Sequence, residues 1–246
     1  MLARARAAGL TTIVSNGLNP DDNEAVLALA ARDPLVRPAL GLYPVDAVLA
    51  EMRARGDDYP GRQDAVDPAE AVAWLRAHAD QAVAIGEIGL DHYWVPEALW
   101  AAQERVFCTI VELAMAADKP IIVHTRKAEL RTLELLIELR APRVIWHCFS
   151  SKVKLGERIA AQGHYLSIPA TVRKAQNFSH MLDRLPRDRV LLETDCPYLA
   201  PDSGELNEPA NVTVTASYAA ERWGCPLSEV QTQLERNFAA IFGFEA

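Results

Sequence analysis

Short apolar runs alternate along this chain with longer amphipathic stretches. The runs fall at 12–16, 38–42, 82–88, 120–124, 143–149, 164–168 and 190–195. They lack in-and-out alternation, which suits strands of a parallel sheet covered on both faces. Helical patterns lie between them. Asp67-Pro68-Ala69-Glu70 reads as a cap, a first-turn proline and an acidic third position. It predicts a helix running through Val72, Leu75 and Arg76. Residues 97–117 place Leu99, Val106, Ile110 and Leu113 on one face. Further helices are expected over 127–139, 151–162, 176–184, 209–223 and 227–242. Residues 46–54 suit a short helix, and Arg55 to Arg62 an exposed loop that either overhangs a site or is a neutral insertion.

This β-then-α order predicts an α/β fold with a parallel sheet. The chain opens inside a helix, with Leu2, Ala5 and Gly9 leading into the first strand. Seven strands are one short of an eight-stranded barrel but enough for an open doubly wound sheet. With 246 residues, half of them apolar, a single domain with a sizeable core is expected and global disorder is excluded. No apolar run is long enough for a membrane span, and the first residues lack a signal-peptide core. The scattered Cys108, Cys148, Cys196 and Cys225 suit reduced thiols, so a cytoplasmic location is expected.

The candidate chemistry sits at strand ends, where α/β folds place their sites. Glu87 and Asp91 end one run, His124 the next and His147 another, while Glu193 and Asp195 close the last. Spaced by two, Glu193 and Asp195 are expected on one side of their strand. Imidazole and carboxylate together are a ligand set for Zn²⁺, Mn²⁺ or Mg²⁺. These ends converge only if the sheet curves or closes, which favours the barrel. His92 is a candidate substrate contact. His78 and His180 are expected on helices, and His164 at the wrong strand end for a site. Cys148 and Cys196 are expected to alternate away into the helix layer.

The formal net charge of −8 argues against nucleic-acid binding through bulk charge. The few lysines are nevertheless unevenly placed. Lys127, Lys152, Lys154 and Lys174, with Arg126 and Arg173, follow three strand ends. They would rim one mouth and suit a phosphate-bearing substrate; the alternative is that they merely open exposed helices. No dinucleotide fingerprint, phosphate-binding loop or nucleophile elbow is present.

Taken together, Gly86-Glu87-Ile88-Gly89-Leu90-Asp91, His124-Thr125-Arg126, His147-Cys148-Phe149-Ser150 and Glu193-Thr194-Asp195-Cys196-Pro197-Tyr198-Leu199 resemble the TatD family of metal-dependent hydrolases. Asn207-Glu208-Pro209-Ala210-Asn211, Asn237 and Phe242-Gly243 extend the resemblance to about residue 243. It implies a (β/α)8 barrel of the amidohydrolase-like group, a site with two divalent ions (Mg, Mn or Zn), and phosphodiester hydrolysis of DNA ends, often 3′-to-5′. Glu87 would be the shared ligand, and His124 and His147 ligands of one ion. Asp195 would bind the other ion and handle the nucleophilic water. Beside the resemblance, Tyr43, His92, Arg126, Lys127, Lys152, Arg173 and Glu208 are the candidate substrate contacts.

The chain departs from the family pattern twice. The first strand, with its His-x-His ligands, is missing ahead of the opening helix; a start assigned too late is the favoured explanation. The second ion would then keep little beyond Glu87 and Asp195, so a single bound ion is one expectation. Gly41-Leu42-Tyr43-Pro44 has tyrosine where the family often has histidine. The competing readings are hydrolysis of another ester or amide, and a binding protein that has lost one metal site.

Overall fold

A computed structural model describes residues 1–61, 64–202, 204 and 206–244. Arg62, at the end of the expected exposed loop, lies outside the described residues. The elements run α1 (Leu2–Ala7), β1 (Ile13–Asn16), α2 (Pro20–Arg32), β2 (Val36–Leu40), α3 (Leu49–Ala54), α4 (Pro68–His78), β3 (Ala84–Asp91) and α5 (Trp100–Ala116). They continue with β4 (Ile121–Arg126), α6 (Glu129–Glu138), β5 (Val144–Trp146), α7 (Val153–Ala161), β6 (Tyr165–Ile168), α8 (Gln176–Arg184), β7 (Val190–Leu192), α9 (Val212–Trp223) and α10 (Leu227–Phe242). Two compact units divide the chain: Val14–Val144, and Met1–Ile13 with Ile145–Ala246.

In the Val14–Val144 unit β2, β3 and β4 pair in parallel. Strand β3 is buried along its whole length, as expected of a strand covered on both faces. Its register against β4 slips between Ile85 and Ile88, so Ile85 faces Ile121 while Ile88 faces Val123. The extra residue is a β-bulge, a device that re-aims side chains, and Glu87 lies inside it. Gly89 lies directly across from His124 with φ 150°, and a Cβ there would meet the His124 carbonyl oxygen at 1.9 Å. Only glycine lets β3 approach β4 this closely.

Helix α4 starts as its cap predicts, with the Asp67 carboxylate accepting from Ala69 N at 2.7 Å. Helix α2 follows the same logic, although the apolar pattern did not announce it. Asn19 Oδ1 accepts from Asp22 N at 3.1 Å and Pro20 fills the first position, a cap worth about 1 kcal/mol. Most of the helix is exposed, with Asn23 its one buried residue, so its apolar stripe is weak. Along α5 the buried residues are Gln103, Phe107, Ile110, Val111, Leu113 and Ala114, so Ile110 and Leu113 are buried as expected while Val106 and Leu99 are only half-buried. The buried face thus shares Ile110 and Leu113 with the expected one and adds Gln103 and Phe107 toward the start of the helix.

The 46–54 segment does form a short turn and helix. Val45, Val48, Leu49 and Met52 make a buried cluster with Val95, flanked by Tyr43, Tyr59, Trp94 and Trp100. It thus anchors the segment after β3, while Arg55 to Gly61 stays largely exposed.

In the other unit β5, β6 and β7 pair in parallel, with Trp146 opposite Leu166 and Ile168 opposite Leu192. These strands are shorter than expected. β5 stops before His147 and β7 before Glu193. The alternation arguments for Glu193, Asp195, Cys148 and Cys196 therefore lose their footing, because strand geometry no longer governs those residues. Both cysteines are half-buried rather than core.

Candidate metal centre

Each unit holds a histidine between two carboxylates. In the first, His124 Nδ1 lies 2.9 Å from Glu87 Oε1 and Nε2 lies 3.2 Å from Asp91 Oδ2. The two carboxylates are held differently. Asp91 is fully buried, and its Oδ1 accepts from Tyr93 N at 2.9 Å and Trp94 N at 3.0 Å. Burial works against its charge, but the His124 hydrogen bond and these amides hold its pKa below the ordinary value. Asp91 is thus an anchor, fixing the Nε2 edge of His124. Glu87, in the bulge, faces the other edge.

For His124 the balance runs the opposite way. Burial penalises its charge, yet the hydrogen bonds to Asp91 and Glu87 raise its pKa to about 9. The Tyr43 hydroxyl sits 3.5 Å from Nε2 and the two rings are 5.0 Å apart. Burial first, then the charges of Glu87 and Asp91, push the Tyr43 phenol far above its usual pKa. It therefore remains a protonated donor.

Tyr43 is placed by a buried lattice of bonds. Its amide donates to Leu18 O at 2.7 Å. Asn23 both donates to and accepts from the Gly41 backbone, at 2.9 and 3.0 Å. Fully buried Gln103 donates to Pro44 O at 2.9 Å and accepts from Asp91 N at 3.3 Å. It ties the Tyr43-Pro44 turn to the end of β3. Nothing in the sequence pattern distinguishes Gln103 from a surface helix residue.

In the second unit, His147 Nδ1 lies 2.7 Å from Glu193 Oε2 and Nε2 lies 3.3 Å from Asp195 Oδ1. Glu193 is the anchor here. Its Oε2 also accepts from Cys148 N at 3.1 Å and from the Ser167 hydroxyl. Cys148 has φ 43°, a left-handed conformation that turns its amide back toward Glu193. Asp195, also left-handed at φ 58°, keeps 32% of its side chain exposed. Ser167 on β6 was not anticipated, and a lone serine in a strand carries no sequence signal of this role.

The remaining candidates divide. Arg126 and Lys127 stand 3.8 and 4.8 Å from the centroid of the Tyr93 ring, close in sequence to His124. Lys152 caps α7 and is exposed. His92 lies flat on Trp100, centroids 3.9 Å apart, and burial lowers its pKa; it belongs to the packing. Arg173 is ion-paired to Glu221 and sits over Tyr218. Glu208 is paired to Arg4 at 2.6 Å. His164 is buried and accepts from Trp146 Nε1, and His180 is exposed. His78 is half-buried and stacks on Trp74 at 3.9 Å.

Among the described residues, no group of three or more acidic, histidine or cysteine side chains is drawn into a preformed metal cage. What each unit offers is a pair: Glu87 with His124 Nδ1, and Asp195 with His147 Nε2. In both, the histidine's other nitrogen is fixed by an anchored carboxylate. That is the arrangement by which proteins orient metal-binding imidazoles, so the residues present fit a divalent cation.

The family model for TatD-related DNases matches residues 1–243. The chain belongs to this family. It is similar to the metal-dependent hydrolase YabD of Bacillus subtilis, 30% identical over 98% of this chain and 91% of the relative. It is also similar to human deoxyribonuclease TATDN3, 27% identical over 98% of this chain and 87% of the relative. Among solved structures, the TatD homologue YjjV of Escherichia coli K12 superposes with a TM-score of 0.83 at 25% identity, covering 99% of this chain and 90% of that one. The fold class is thus the α/β barrel type of the TatD and amidohydrolase-like proteins.

Proposed function

We propose that this TatD-family chain is a divalent-metal-dependent phosphodiesterase that trims DNA ends in the 3′-to-5′ direction, with residues 1–246 acting as one hydrolase domain. The observation that carries the proposal is the paired arrangement of the imidazoles, each with one nitrogen on an anchored carboxylate and the other facing a second carboxylate. The names of its relatives, a metal-dependent hydrolase and a deoxyribonuclease, agree with it.

Glu87 and His124, and Asp195 and His147, are the proposed ligands. A bound Mg²⁺, Mn²⁺ or Zn²⁺ would supply Lewis-acid polarisation of the phosphate and a water of lowered pKa. Asp195 is the most exposed of the four ligand side chains and has room to accept that water's proton. Glu193 and Asp91 each hold one nitrogen of an imidazole and so fix the orientation of its ring. The protonated Tyr43 phenol is the proposed donor to a phosphate oxygen, in the place where the family often carries histidine. Arg126 and Lys127 supply positive charge to the same anion.

The test is a single-stranded oligonucleotide labelled at its 5′ end, given to protein stripped with chelator and reloaded with Mg²⁺, Mn²⁺ or Zn²⁺. Stepwise shortening from the 3′ end, abolished by chelator, is the expected outcome. No cleavage with any of the three ions overturns the proposal.

A further inference from the structure

The segment after β7 turns its apolar side chains outward. Tyr198 is 72% exposed, Leu206 83% and Leu199 38%. Loose loops often do this, but this one is pinned. Asn207 is buried, and its Nδ2 donates to Thr194 O at 2.5 Å and Leu199 O at 3.1 Å. Its Oδ1 accepts from Glu208 N at 2.9 Å and Asn211 Nδ2 at 2.8 Å, so both ends of the amide are engaged. Its own amide donates to Pro197 O at 2.9 Å. The backbone carrying Tyr198 is therefore held, and the exposed ring is displayed rather than disordered. Such preorganisation lowers the entropic cost of binding through that ring.

The ring is also close to the proposed chemistry. Tyr198 N donates to Asp195 O at 2.9 Å, closing a four-residue turn that keeps the two Cα atoms within about 7 Å. The other exposed tyrosine near a histidine cluster, Tyr93, has Arg126 and Lys127 over its ring. Among the described residues Tyr198 has no ring or cation against it. One tyrosine is dressed for an anion, the other left bare for a π face.

We infer that Tyr198 is a stacking platform for the nucleobase that flanks the scissile phosphodiester. The inference rests on the phosphodiesterase reading and narrows it to substrates with an unpaired terminal base. Stacking is tolerant of base identity, because every base has a π face. Tyr198 is thus a positioning residue that senses the presence of a base rather than its sequence.

The experiment compares two single-stranded oligonucleotides, one with a natural 3′-terminal nucleotide and one with an abasic terminus, on wild type, Tyr198→Ala and Tyr198→Phe. Wild type and Tyr198→Phe are expected to favour the natural end by about 5- to 100-fold in kcat/KM, carried mainly by KM. Tyr198→Ala is expected to lose that preference with its melting temperature unchanged. Equal treatment of the two ends by wild type, or an unaltered preference in Tyr198→Ala, overturns the inference. If wild type cleaves neither strand, the phosphodiesterase reading has failed, and fluorescence anisotropy of the same strands decides on Tyr198. Tighter binding of the natural end that Tyr198→Ala abolishes supports the platform, and equal binding removes it.

Discussion

His124 and His147 sit between carboxylates in the same way, yet they are fixed through opposite nitrogens. His124 is anchored at Nε2 by Asp91, and His147 at Nδ1 by Glu193. The anchors are recruited by different means. Asp91 ends a strand and caps the turn that follows it, drawing on the amides of Tyr93 and Trp94. Glu193 lies past its strand and draws on Cys148 N and the Ser167 hydroxyl. What the two sites share is therefore a relation, one nitrogen held and one presented, rather than a motif. They differ in solvent access as well: the carboxylate on the presented side is nearly buried for Glu87 and a third exposed for Asp195. On the proposed function, this contrast gives holding to the first cluster and proton transfer to the second.

The largest expected effect comes from Asp195→Asn. Turnover should fall by about 10²- to 10⁴-fold, the range for a lost general base, while Glu87→Gln should act chiefly on metal affinity. Steady-state rates at saturating metal separate the two, and an active Asp195→Asn enzyme would erase the division of labour. Next come the anchors. Asp91→Asn and Glu193→Gln should each weaken metal binding by about 10- to 100-fold, measured by calorimetry. If only one of them does so, the two clusters are not equivalent in design.

A smaller effect separates the clusters by pH. In chelated protein His124 should titrate near 9, seen by NMR of its ring. Its folded pKa lies above the ordinary value of about 6.5. Its contribution to stability is thus complete below that value and lost as pH rises through about 9. Asp91→Asn should bring the titration down toward the ordinary value. A wild-type His124 that titrates near 6.5 would mean that the two carboxylates do not hold it.

Much of this was legible beforehand. The apolar runs located the seven strands, and the residues closing them included Glu87, His124, His147 and Asp195. Helix α2 was less visible, since its apolar face is faint, although Asn19-Pro20-Asp21-Asp22 spells out its cap. The bulge at Glu87 was hidden because it is a matter of register between strands. Gln103 and Ser167 were hidden for a related reason: each acts on a group far away in the chain, and neither residue type is unusual where it stands. His92, Arg173 and Glu208 show the same limit from the other side. They suited a substrate by type and position, but nearby Trp100, Glu221 and Arg4 engage them. Strand ends are legible because periodicity marks them, whereas partners depend on tertiary packing.

The central claim is that each cluster presents one chosen imidazole nitrogen to a cation. Anomalous diffraction from crystals soaked in Mn²⁺ tests it directly. The account predicts manganese on Nδ1 of His124 beside Glu87 and on Nε2 of His147 beside Asp195, with Asp91 and Glu193 still on the opposite nitrogens. Manganese on Nε2 of His124, or on neither histidine, would contradict it.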